Sequence, residues 1–384
     1  MKNQYDYIIS GAGAAGFSLL VRMIQNPFFQ GKNILVVDKA PKESNDRTWC
    51  FWEKTAGIFE PVVHNCWQQV NFFSHHNSGL LDLAPYSYKM IRSIDFYRYV
   101  YKLASIQSNV TFLYGNIEAT GNRGNKAFVV VEGISYEADF VFNSILFRPP
   151  SIPEGKFYLL QHFKGFLIQT PTPRFDPLQA TLMDFRVSQE KGTAFAYVLP
   201  LSGDRALVEF TMFSTQLLDD EGYNAALKHY IQNGLQIDEY AVVEQEFGII
   251  PMTNIKFVKS VDRVINIGTA GGQTKASSGY TFQFIQKQSD KIVSELIRFG
   301  YIRADGGVFQ RRFNIYDSVL LNILSGNKLP ADKIFSDLFS KNPVDRVLRF
   351  LDNESTLEDE INLMGTLPQG PFRKAILEEM FKIK

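Results

Sequence analysis

Three glycines near the start of the chain, Gly11, Gly13 and Gly16, have the spacing that binds a pyrophosphate through backbone N–H groups. An apolar run precedes them, a helix-like stretch follows, and a second apolar run then ends at Asp38. In such a βαβ unit the helix N-terminus faces the phosphates, and the acid after the second strand accepts a hydrogen bond from a ribose hydroxyl. This order predicts a nucleotide-binding unit; the alternative is a glycine-rich turn that binds nothing.

A second glycine cluster lies at 268–272, between a predicted strand at 263–267 and a predicted helix at 281–298. In two-lobed flavoproteins such a late strand completes the sheet, and the turn after it approaches the ribityl chain and pyrophosphate of FAD. The helix that follows directs its positive N-terminus at the flavin ring. Together the two clusters predict a split FAD-binding domain. Thr269 stands where many FAD hydroxylases have Asp, so its contact with the ribityl chain would lack charge.

Two carboxylates lie within apolar strands further along the chain. Glu209 is in mid-strand, and alternation puts Leu207, Thr211 and Phe213 on its face. Apolar surroundings disfavour the charged form and would keep this carboxyl protonated, as an acid catalyst requires. Alternation alone equally allows a Glu on the solvent face of a hairpin. Asp184, which also has apolar neighbours, is either a proton partner or a buried residue that bonds the backbone.

These residues must be positioned by strands and helices, and the order of those elements along the sequence predicts an α/β fold. We expect a discontinuous Rossmann-type FAD-binding domain, a β-rich substrate domain and a C-terminal helical region. The predicted boundaries are 1–60, 95–150 and 260–300 for the FAD-binding domain, 61–94 and 151–259 for the substrate domain, and 301–384 for the helical region. Within them we expect a helix at 95–106 with Asp95 as its N-cap, and a hairpin formed by 193–201 and 205–213.

Composition narrows the class of protein. The 384 residues carry 40 basic and 40 acidic side chains, which gives no sign of nucleic-acid binding. Two cysteines, Cys50 and Cys66, make no disulfide framework, so we expect a reducing, cytoplasmic setting. The five histidines lack metal-ligand spacing, and we expect no metal site. Apolar runs are too short for a membrane-spanning helix, which leaves peripheral contact open.

Six ordered blocks of the chain resemble the flavoprotein-type lycopene β-cyclases of plants and bacteria. The blocks are Asp46-Arg47-Thr48-Trp49-Cys50-Phe51-Trp52, Gln161-His162-Phe163-Lys164-Gly165, Met183-Asp184-Phe185, Tyr197-Val198-Leu199-Pro200-Leu201 with Leu207-Val208-Glu209-Phe210-Thr211, Gly248-Ile249-Ile250-Pro251-Met252, and Ile267-Gly268-Thr269-Ala270-Gly271-Gly272 with Lys275 and Gly279-Tyr280-Thr281-Phe282. Ala276 and Ser278 depart from the family's usual Pro and Thr.

The resemblance implies a net isomerisation of an acyclic carotenoid end group, with no electrons transferred overall. An acid protonates the terminal double bond, the neighbouring double bond attacks the cation, and loss of a ring proton gives the β-ring. The family requires FAD in its reduced form, and NAD(P)H is the expected reductant. Glu209 is the expected acid and Asp184 the second carboxylate. Trp49, Phe51 and Trp52 could line the pocket and stabilise the cation, or they could simply pack in the core.

The resemblance and the glycine clusters also imply which residues hold the cofactor. Tyr280 should lie near the flavin ring, and Arg47 either contacts flavin or substrate or forms a plain ion pair with Asp46. The candidate cofactor-binding residues are Gly11, Gly13, Gly16, Asp38, Lys39, Arg47, Gly268, Thr269, Gly271, Gly272, Gly279 and Tyr280.

A water-insoluble carotenoid implies contact with a membrane surface, without nucleic acid as a partner. The helical region, including 335–339 and 380–384, could supply an amphipathic contact, although each helix could instead pack on the FAD lobe. Two other classes of function remain. One is a redox flavoenzyme such as a prenyl reductase, hydroxylase or halogenase; the other is a non-catalytic prenyl-binding escort protein.

Overall fold

The structure is a computed structural model that describes residues 3–148, 150–303 and 308–381. The strands, in chain order, are β1 (Gln4–Ser10), β2 (Ile34–Asp38), β3 (Thr48–Glu53), β4 (Asn65–Trp67), β5 (Gln69–Phe73), β6 (Ser78–Asp82), β7 (Ser87–Arg92), β8 (Val110–Tyr114), β9 (Ile117–Arg123), β10 (Lys126–Val131), β11 (Ile134–Asn143), β12 (Tyr158–Gln169), β13 (Gln179–Asp184), β14 (Thr193–Pro200), β15 (Arg205–Ser214), β16 (Ala241–Thr253), β17 (Ser260–Val261) and β18 (Val264–Asn266). The helices are α1 (Ala14–Gln25), α2 (Ser93–Ala104), α3 (Asp220–His229), α4 (Phe282–Phe299), α5 (Val308–Ser325), α6 (Ala331–Lys341), α7 (Val344–Leu351), α8 (Leu357–Thr366) and α9 (Gln369–Phe381).

The first sheet has the strand order β17-β18-β11-β1-β2-β8, and β9 and β10 extend it from β11. β1 runs parallel to both β2 and β11, and β11 runs parallel to β18. All five residues of β2 are buried, as expected of a central parallel strand that is covered on both faces. Helices α1, α2 and α4 pack on one face of this sheet.

The turn from β1 into α1 depends on two glycines. Gly11 has φ of +100°, which a residue with a side chain rarely adopts. A Cβ on Gly16 would lie 2.0 Å from the Gly11 carbonyl oxygen and 2.9 Å from Ile9 Cγ2. Helix α1 can therefore approach the strand this closely only with glycine at position 16.

The second sheet has the strand order β16-β12-β15-β14-β13-β5-β6. β12 lies in its interior and pairs along its length with β15 on one side and β16 on the other. Helix α3 covers one face of the sheet. The other face packs against the small β3-β7-β4 sheet and the C-terminal helices, which together form the largest apolar core.

The hairpin predicted at 193–201 and 205–213 is confirmed as β14 and β15, paired along their full length. The predicted N-cap is wrong: α2 begins at Ser93, with Arg92 as its N-cap, and Asp95 lies in the first turn. The serine at the start of the helix accepts hydrogen bonds from the backbone N–H groups of Asp46 and Arg47, at 2.9 and 3.1 Å. A contact distant in sequence thus places the start of this helix.

The segment at 335–339 packs inside the protein, which is the second of the two alternatives, but its partner is the second sheet rather than the FAD lobe. Phe335 stacks on Phe185 at 5.5 Å and Phe339 contacts Phe72 at 5.2 Å, between ring centroids. Of the other candidate segment, residues 382–384 lie outside the described residues. Within the described ranges, no helix has both the length and the apolar character needed to cross a bilayer.

Candidate active site

The structure brings the two glycine clusters together. Residues 268–271 form a 3₁₀ turn directly after β18, and Gly268 has φ of +59°. A Cβ at this position would lie 2.7 Å from the Cβ of Ala15 in the first turn of α1. The late turn that contains Thr269 and Gly271 is therefore in contact with the helix N-terminus of the first glycine turn.

The α1 N-terminus fits the phosphates of a dinucleotide. No side chain caps the helix, and its first turn has no acidic residue that would repel an anion. The position of a Cβ on Gly13 has no atom within 4 Å, so the surface beside this backbone is open to a ligand. The Asp38 carboxylate accepts a hydrogen bond from the Ala12 N–H at 2.7 Å and pairs with Lys42 at 3.3 Å. Asp38 therefore braces the glycine turn, and its contact with a ribose stays a prediction.

The turn that leads into α4 fits the polar edge of a flavin ring. Gly279 has φ of +74°, and a Cβ there would lie 1.8 Å from Gln161 Oε1. Gln161 Oε1 and Ser278 Oγ are both buried without a hydrogen-bond partner. Buried polar atoms are almost always paired, so two unpaired ones beside this turn suit a ligand with its own donors and acceptors.

Two predicted cofactor-binding residues lie apart from these turns. Lys39 is exposed just after β2. Arg47 donates hydrogen bonds to the carbonyl oxygens of Asp46 and Phe247, at 2.7 and 2.9 Å, and so ties the segment before β3 to β16. The Asp46 carboxylate accepts a hydrogen bond from Tyr97 at 3.0 Å. Asp46 and Arg47 thus have partners other than each other.

Two glutamates meet across the second sheet. In the strand register, Gly165 of β12 lies between Glu209 of β15 and Glu246 of β16. The two outer strands are about 9–10 Å apart, a distance that two glutamate side chains can bridge only over a residue without a side chain. A Cβ on Gly165 would lie 3.0 Å from Glu246 Cγ. The glycine therefore lets the two carboxyls interact.

Each carboxyl of this pair has a threonine as a fixed partner. The Thr211 hydroxyl donates to Glu209 at 2.8 Å, and the Thr48 hydroxyl donates to Glu246 at 2.7 Å. Thr48 belongs to β3 of the small β3-β7-β4 sheet, so the glutamate pair lies between this sheet and the second sheet. Both glutamates keep some exposed area, but protein atoms surround their carboxyls densely.

Burial raises the pKa of Glu209 well above its usual range, and the neighbouring Glu246 charge and a hydrogen bond with Glu246 raise it further, against the opposing Thr211 hydrogen bond. Burial also raises the pKa of Glu246, although the Thr48 hydroxyl, the hydrogen bond with Glu209 and the Arg47 charge partly offset this. Two carboxylates this close cannot both ionise easily in a site of low polarity. The arrangement therefore favours a proton held by the pair.

Aromatic and weakly acidic side chains surround the glutamate pair. Burial raises the pKa of Tyr197, and the nearby Tyr280 and Glu209 add to this effect. Burial likewise raises the pKa of the Cys50 thiol and of Tyr88. The Trp52 ring meets the Tyr280 ring edge to face, with centroids 4.5 Å apart. These groups stay uncharged, so the pair faces a π-rich environment in which a protonated carboxyl can act as an acid.

Comparison with known proteins shows the family. A family model described as "Lycopene cyclase protein" matches residues 6–376. The chain belongs to the lycopene cyclase family. It is 24% identical to the lycopene beta-cyclase of Pantoea ananas over 98% of both chains. It is 26% identical to the lycopene beta-cyclase of a Paracoccus species, over 97% of this chain and 96% of the relative.

Solved structures confirm the predicted fold class. A geranylgeranyl bacteriochlorophyll reductase-like protein from Thermoplasma acidophilum matches with a TM-score of 0.63 and 13% identity, covering 100% of both chains. A flavoprotein/dehydrogenase from Cytophaga hutchinsonii matches with a TM-score of 0.64 and 11% identity, covering 99% of this chain and 100% of the other. This lycopene cyclase family member thus shares the mixed α/β fold of these two proteins over its whole length, the C-terminal helices included.

The three aromatic residues predicted to line the pocket of this family member lie on opposite faces of β3. Trp49 and Phe51 both stack on Phe282 of α4, with centroids 5.9 and 4.6 Å apart, inside the core of the first sheet. Trp52 points the other way, toward Tyr280. Of the three, only Trp52 contacts the surroundings of the glutamate pair.

The structure does not bring Asp184 together with Glu209. The Asp184 carboxylate accepts two hydrogen bonds from the Arg186 side chain at 2.9 and 2.7 Å, one from the Arg186 backbone N–H at 3.0 Å and one from the Tyr230 hydroxyl at 2.8 Å. Tyr230 belongs to the core under α3, on the sheet face opposite to Glu209. Both carboxylate oxygens are therefore engaged, as in a buried structural residue.

Glu246 is the residue of the candidate site that the sequence analysis missed. It lies in β16, but nothing in the local sequence distinguishes it, since the strand also contains Glu244. The available signal was Gly165, because a glycine inside a strand often marks the close approach of another group. Interpreting that signal required the register of three strands.

Proposed function

We propose that this member of the lycopene cyclase family is a lycopene β-cyclase that closes the ψ end groups of lycopene into β-rings without net redox change. The observation that carries the proposal is the Glu209 carboxyl, which burial and Glu246 keep protonated inside an aromatic environment. A general acid works best when its proton is present at the working pH and water is excluded.

In the proposed reaction Glu209 gives its proton to the terminal double bond of the end group, which leaves a carboxylate and a carbocation. The neighbouring double bond attacks the cation and closes a six-membered ring. The ring then loses one proton, which returns to the carboxylate, so protons balance over the cycle. The same residue thus serves as acid and is regenerated, as a net isomerisation requires.

The surroundings of Glu209 support the stabilisation of a cation. The faces of Trp52, Tyr197 and Tyr280 offer negative π density, and cations bind such faces with about 0.5–2 kcal/mol each. Their high pKa values keep the tyrosines protonated, so they do not neutralise the cation by forming phenolates. A dry site also prevents water from trapping the cation as an alcohol.

We propose FAD as the cofactor, because the uncapped α1 N-terminus, the paired glycine turns and the unpaired Gln161 and Ser278 atoms fit a flavin dinucleotide. When bound, reduced FAD would supply negative charge near the substrate cation, and NAD(P)H is the proposed reductant. The residues proposed to hold it are those of the two glycine turns with Gly279 and Tyr280.

The proposed substrate also implies where in the cell the enzyme acts. Lycopene is a long hydrocarbon that resides in bilayers, so the protein must meet a membrane surface to collect it. We therefore propose peripheral membrane contact of a cytoplasmic protein.

The test is the pigment profile of bacteria that accumulate lycopene, with the wild-type protein or with Glu209→Gln. We expect conversion to a cyclic product of unchanged mass with the wild type, and at least about a hundredfold loss with the variant, as for removal of a general acid. Flavin content and thermal unfolding of both purified proteins check that they are folded. A product heavier by two hydrogens would instead indicate a prenyl reductase, and unchanged lycopene with folded, flavin-loaded wild type would refute the proposal.

A further inference from the structure

We propose that Glu246 is a positioning residue for the catalytic acid: its carboxyl, held by Thr48, meets that of Glu209 across Gly165, so that the pair carries one shared proton. This inference rests on the proposed function of Glu209. It assigns a role to a strand, β16, that contributes no other residue to the proposed reaction.

The geometry allows the two carboxyls few other arrangements. Thr211 donates to Glu209 Oε1 and Thr48 donates to Glu246 Oε2, which leaves the other oxygen of each carboxyl for a contact between the two. Glu246 Oε1 is buried and has no other hydrogen-bond partner. Two ionised carboxylates would repel at this distance, whereas a single proton between them makes a charge-assisted hydrogen bond. One retained proton is therefore the stable state of the pair.

Sharing the proton orients the Glu209 carboxyl and defines how the charge of the pair changes during the reaction. When Glu209 protonates the double bond, both carboxylates are negative and stand beside the new cation. Loss of the ring proton returns one proton to the pair and restores its starting charge of −1. Glu246 thus orients the Glu209 carboxyl in the resting state and adds negative charge when the cation forms.

Other titratable groups face the pair from each packed element. Four of them point inward, one from each of β3, β7, β14 and the turn before α4: Cys50, Tyr88, Tyr197 and Tyr280. Glu244 and Arg47 act on Glu246 from the outer side. Burial raises the pKa of all four of the inward-facing groups, so they are neutral at neutral pH. Glu246 is then the inward-facing group that changes charge together with Glu209.

The first test is the pH profile of kcat for Glu246→Gln in the flavin-loaded enzyme with lycopene in detergent or liposomes. Glutamine keeps the shape but removes the repulsion and can donate to the Glu209 carboxylate, so Glu209 should lose its proton at lower pH. We expect the alkaline limb to move down by about one pH unit or more, with KM little changed and with activity recovered at the acid end. A merely structural role would lower activity equally at every pH.

Two further variants make the test specific. Glu244→Gln removes the same charge two residues away on the same strand, where it acts on Glu246 only from the outer side, so its limb should move much less than that of Glu246→Gln. Gly165→Ala keeps both carboxyls but places a methyl group 3.0 Å from Glu246 Cγ and 3.1 Å from Leu207 Cδ1, so it should separate them and move the limb in the same direction as Glu246→Gln. If Glu246→Gln and Gly165→Ala both keep the wild-type limb, the shared proton is refuted.

An infrared titration separates this inference from the proposed function. The C=O band of the protonated Glu209 carboxyl, identified by subtracting the spectrum of Glu209→Gln, should persist to higher pH in the wild type than in Glu246→Gln. Asp352, whose pKa burial raises to about 7, contributes a band common to all three proteins, and the subtraction removes it. This holds without turnover. If the wild type does not cyclise lycopene, the proposed function fails while the band still tests the pair; if it does cyclise lycopene but the band titrates alike in wild type and Glu246→Gln, only the role of Glu246 fails.

Discussion

Glu209 receives opposite influences from its two nearest polar neighbours. The charge of Glu246 raises its pKa, and the hydrogen bond from Thr211 lowers it. Both effects act on the same proton, so substitutions at the two positions should move the pH dependence of activity in opposite directions. This makes the acid testable through its neighbours, without removing it.

Thr211→Val removes the 2.8 Å hydrogen bond to Glu209 while it keeps the shape of the buried side chain. Because that bond stabilises the carboxylate, its loss should raise the pKa of Glu209 and move the alkaline limb of kcat to higher pH. A hydrogen bond contributes about 1 kcal/mol, which corresponds to a shift of roughly 0.7 pH unit. A kcat profile of the reconstituted enzyme measures it, with the buried Thr181→Val as a control that should show no shift. A limb that moves to lower pH would contradict this account.

Sequence alone could identify Glu209 but not its partner. Alternation within one strand correctly put Leu207, Thr211 and Phe213 on the face of Glu209, because the period of two is a local property. The contact with Glu246 depends on how β15, β12 and β16 align. Gly165 and Glu246 are 81 positions apart in the chain, so their register is set by packing and cannot be read from either local pattern.

At the level of elements, β3 separates two cores. Its odd side chains, Trp49 and Phe51, join the core of the first sheet with α2 and α4, whereas Trp52 joins the core beside the second sheet. The sequence allowed Trp49, Phe51 and Trp52 either to line a pocket or to pack in the core, and the strand divides them because alternate residues point to opposite faces. Aromatic residues that are neighbours in sequence therefore belong to two different cores.

A matched pair of variants tests this division. Trp52→Phe weakens the π face near Glu209, so we expect kcat to fall by roughly 2- to 30-fold, which corresponds to about 0.5–2 kcal/mol. Phe51→Leu keeps the volume of a core residue and should lower the free energy of unfolding by about 1 kcal/mol while kcat of the folded protein is retained. Urea unfolding and initial rates measure both. Equal losses of kcat in the two variants would show that β3 acts as a single wall.

Element boundaries show the same limit of prediction. The β14–β15 hairpin was correctly located because its turn and alternation are local signals. The start of α2 was misplaced by two residues, since Ser93 is held by backbone groups from the segment before β3. The start of β12 at Tyr158 is likewise set by a distant contact, because Tyr158 pairs with Thr253 of β16.

At the scale of the whole molecule, the C-terminal helices complete the site rather than merely following it. Helices α5 to α9 share one apolar core with Trp52, Tyr197 and the second sheet. They are joined to the turn before α4 by Lys275, which is buried between the rings of Phe313 and Phe350. Its side chain bonds Asp317 of α5 at 2.6 Å, and its backbone N–H bonds the carbonyl of Tyr280 at 2.8 Å.

Asp317→Asn should therefore both destabilise the protein and loosen the turn that carries Tyr280. The variant leaves a buried ammonium without its counterion, which costs about 3–5 kcal/mol, and we expect a lower unfolding temperature together with a lower flavin-to-protein ratio. Asp139→Asn is the matched control, because its pair with Lys126 is exposed on both sides and should contribute about 0–1 kcal/mol.

The double variant Lys275→Met with Asp317→Leu then shows whether the Lys275 charge or only the packing of the helices on the turn supports flavin binding. Removing both charges eliminates the unpaired ammonium, and apolar replacements of buried pairs are often neutral or stabilising, so unfolding temperature should return close to the wild-type value. Flavin retention should recover with it if the pair only anchors the helices to the turn. If stability recovers but flavin retention stays low, the Lys275 charge itself contributes to the cofactor site. Its role would then go beyond the ion pair with Asp317.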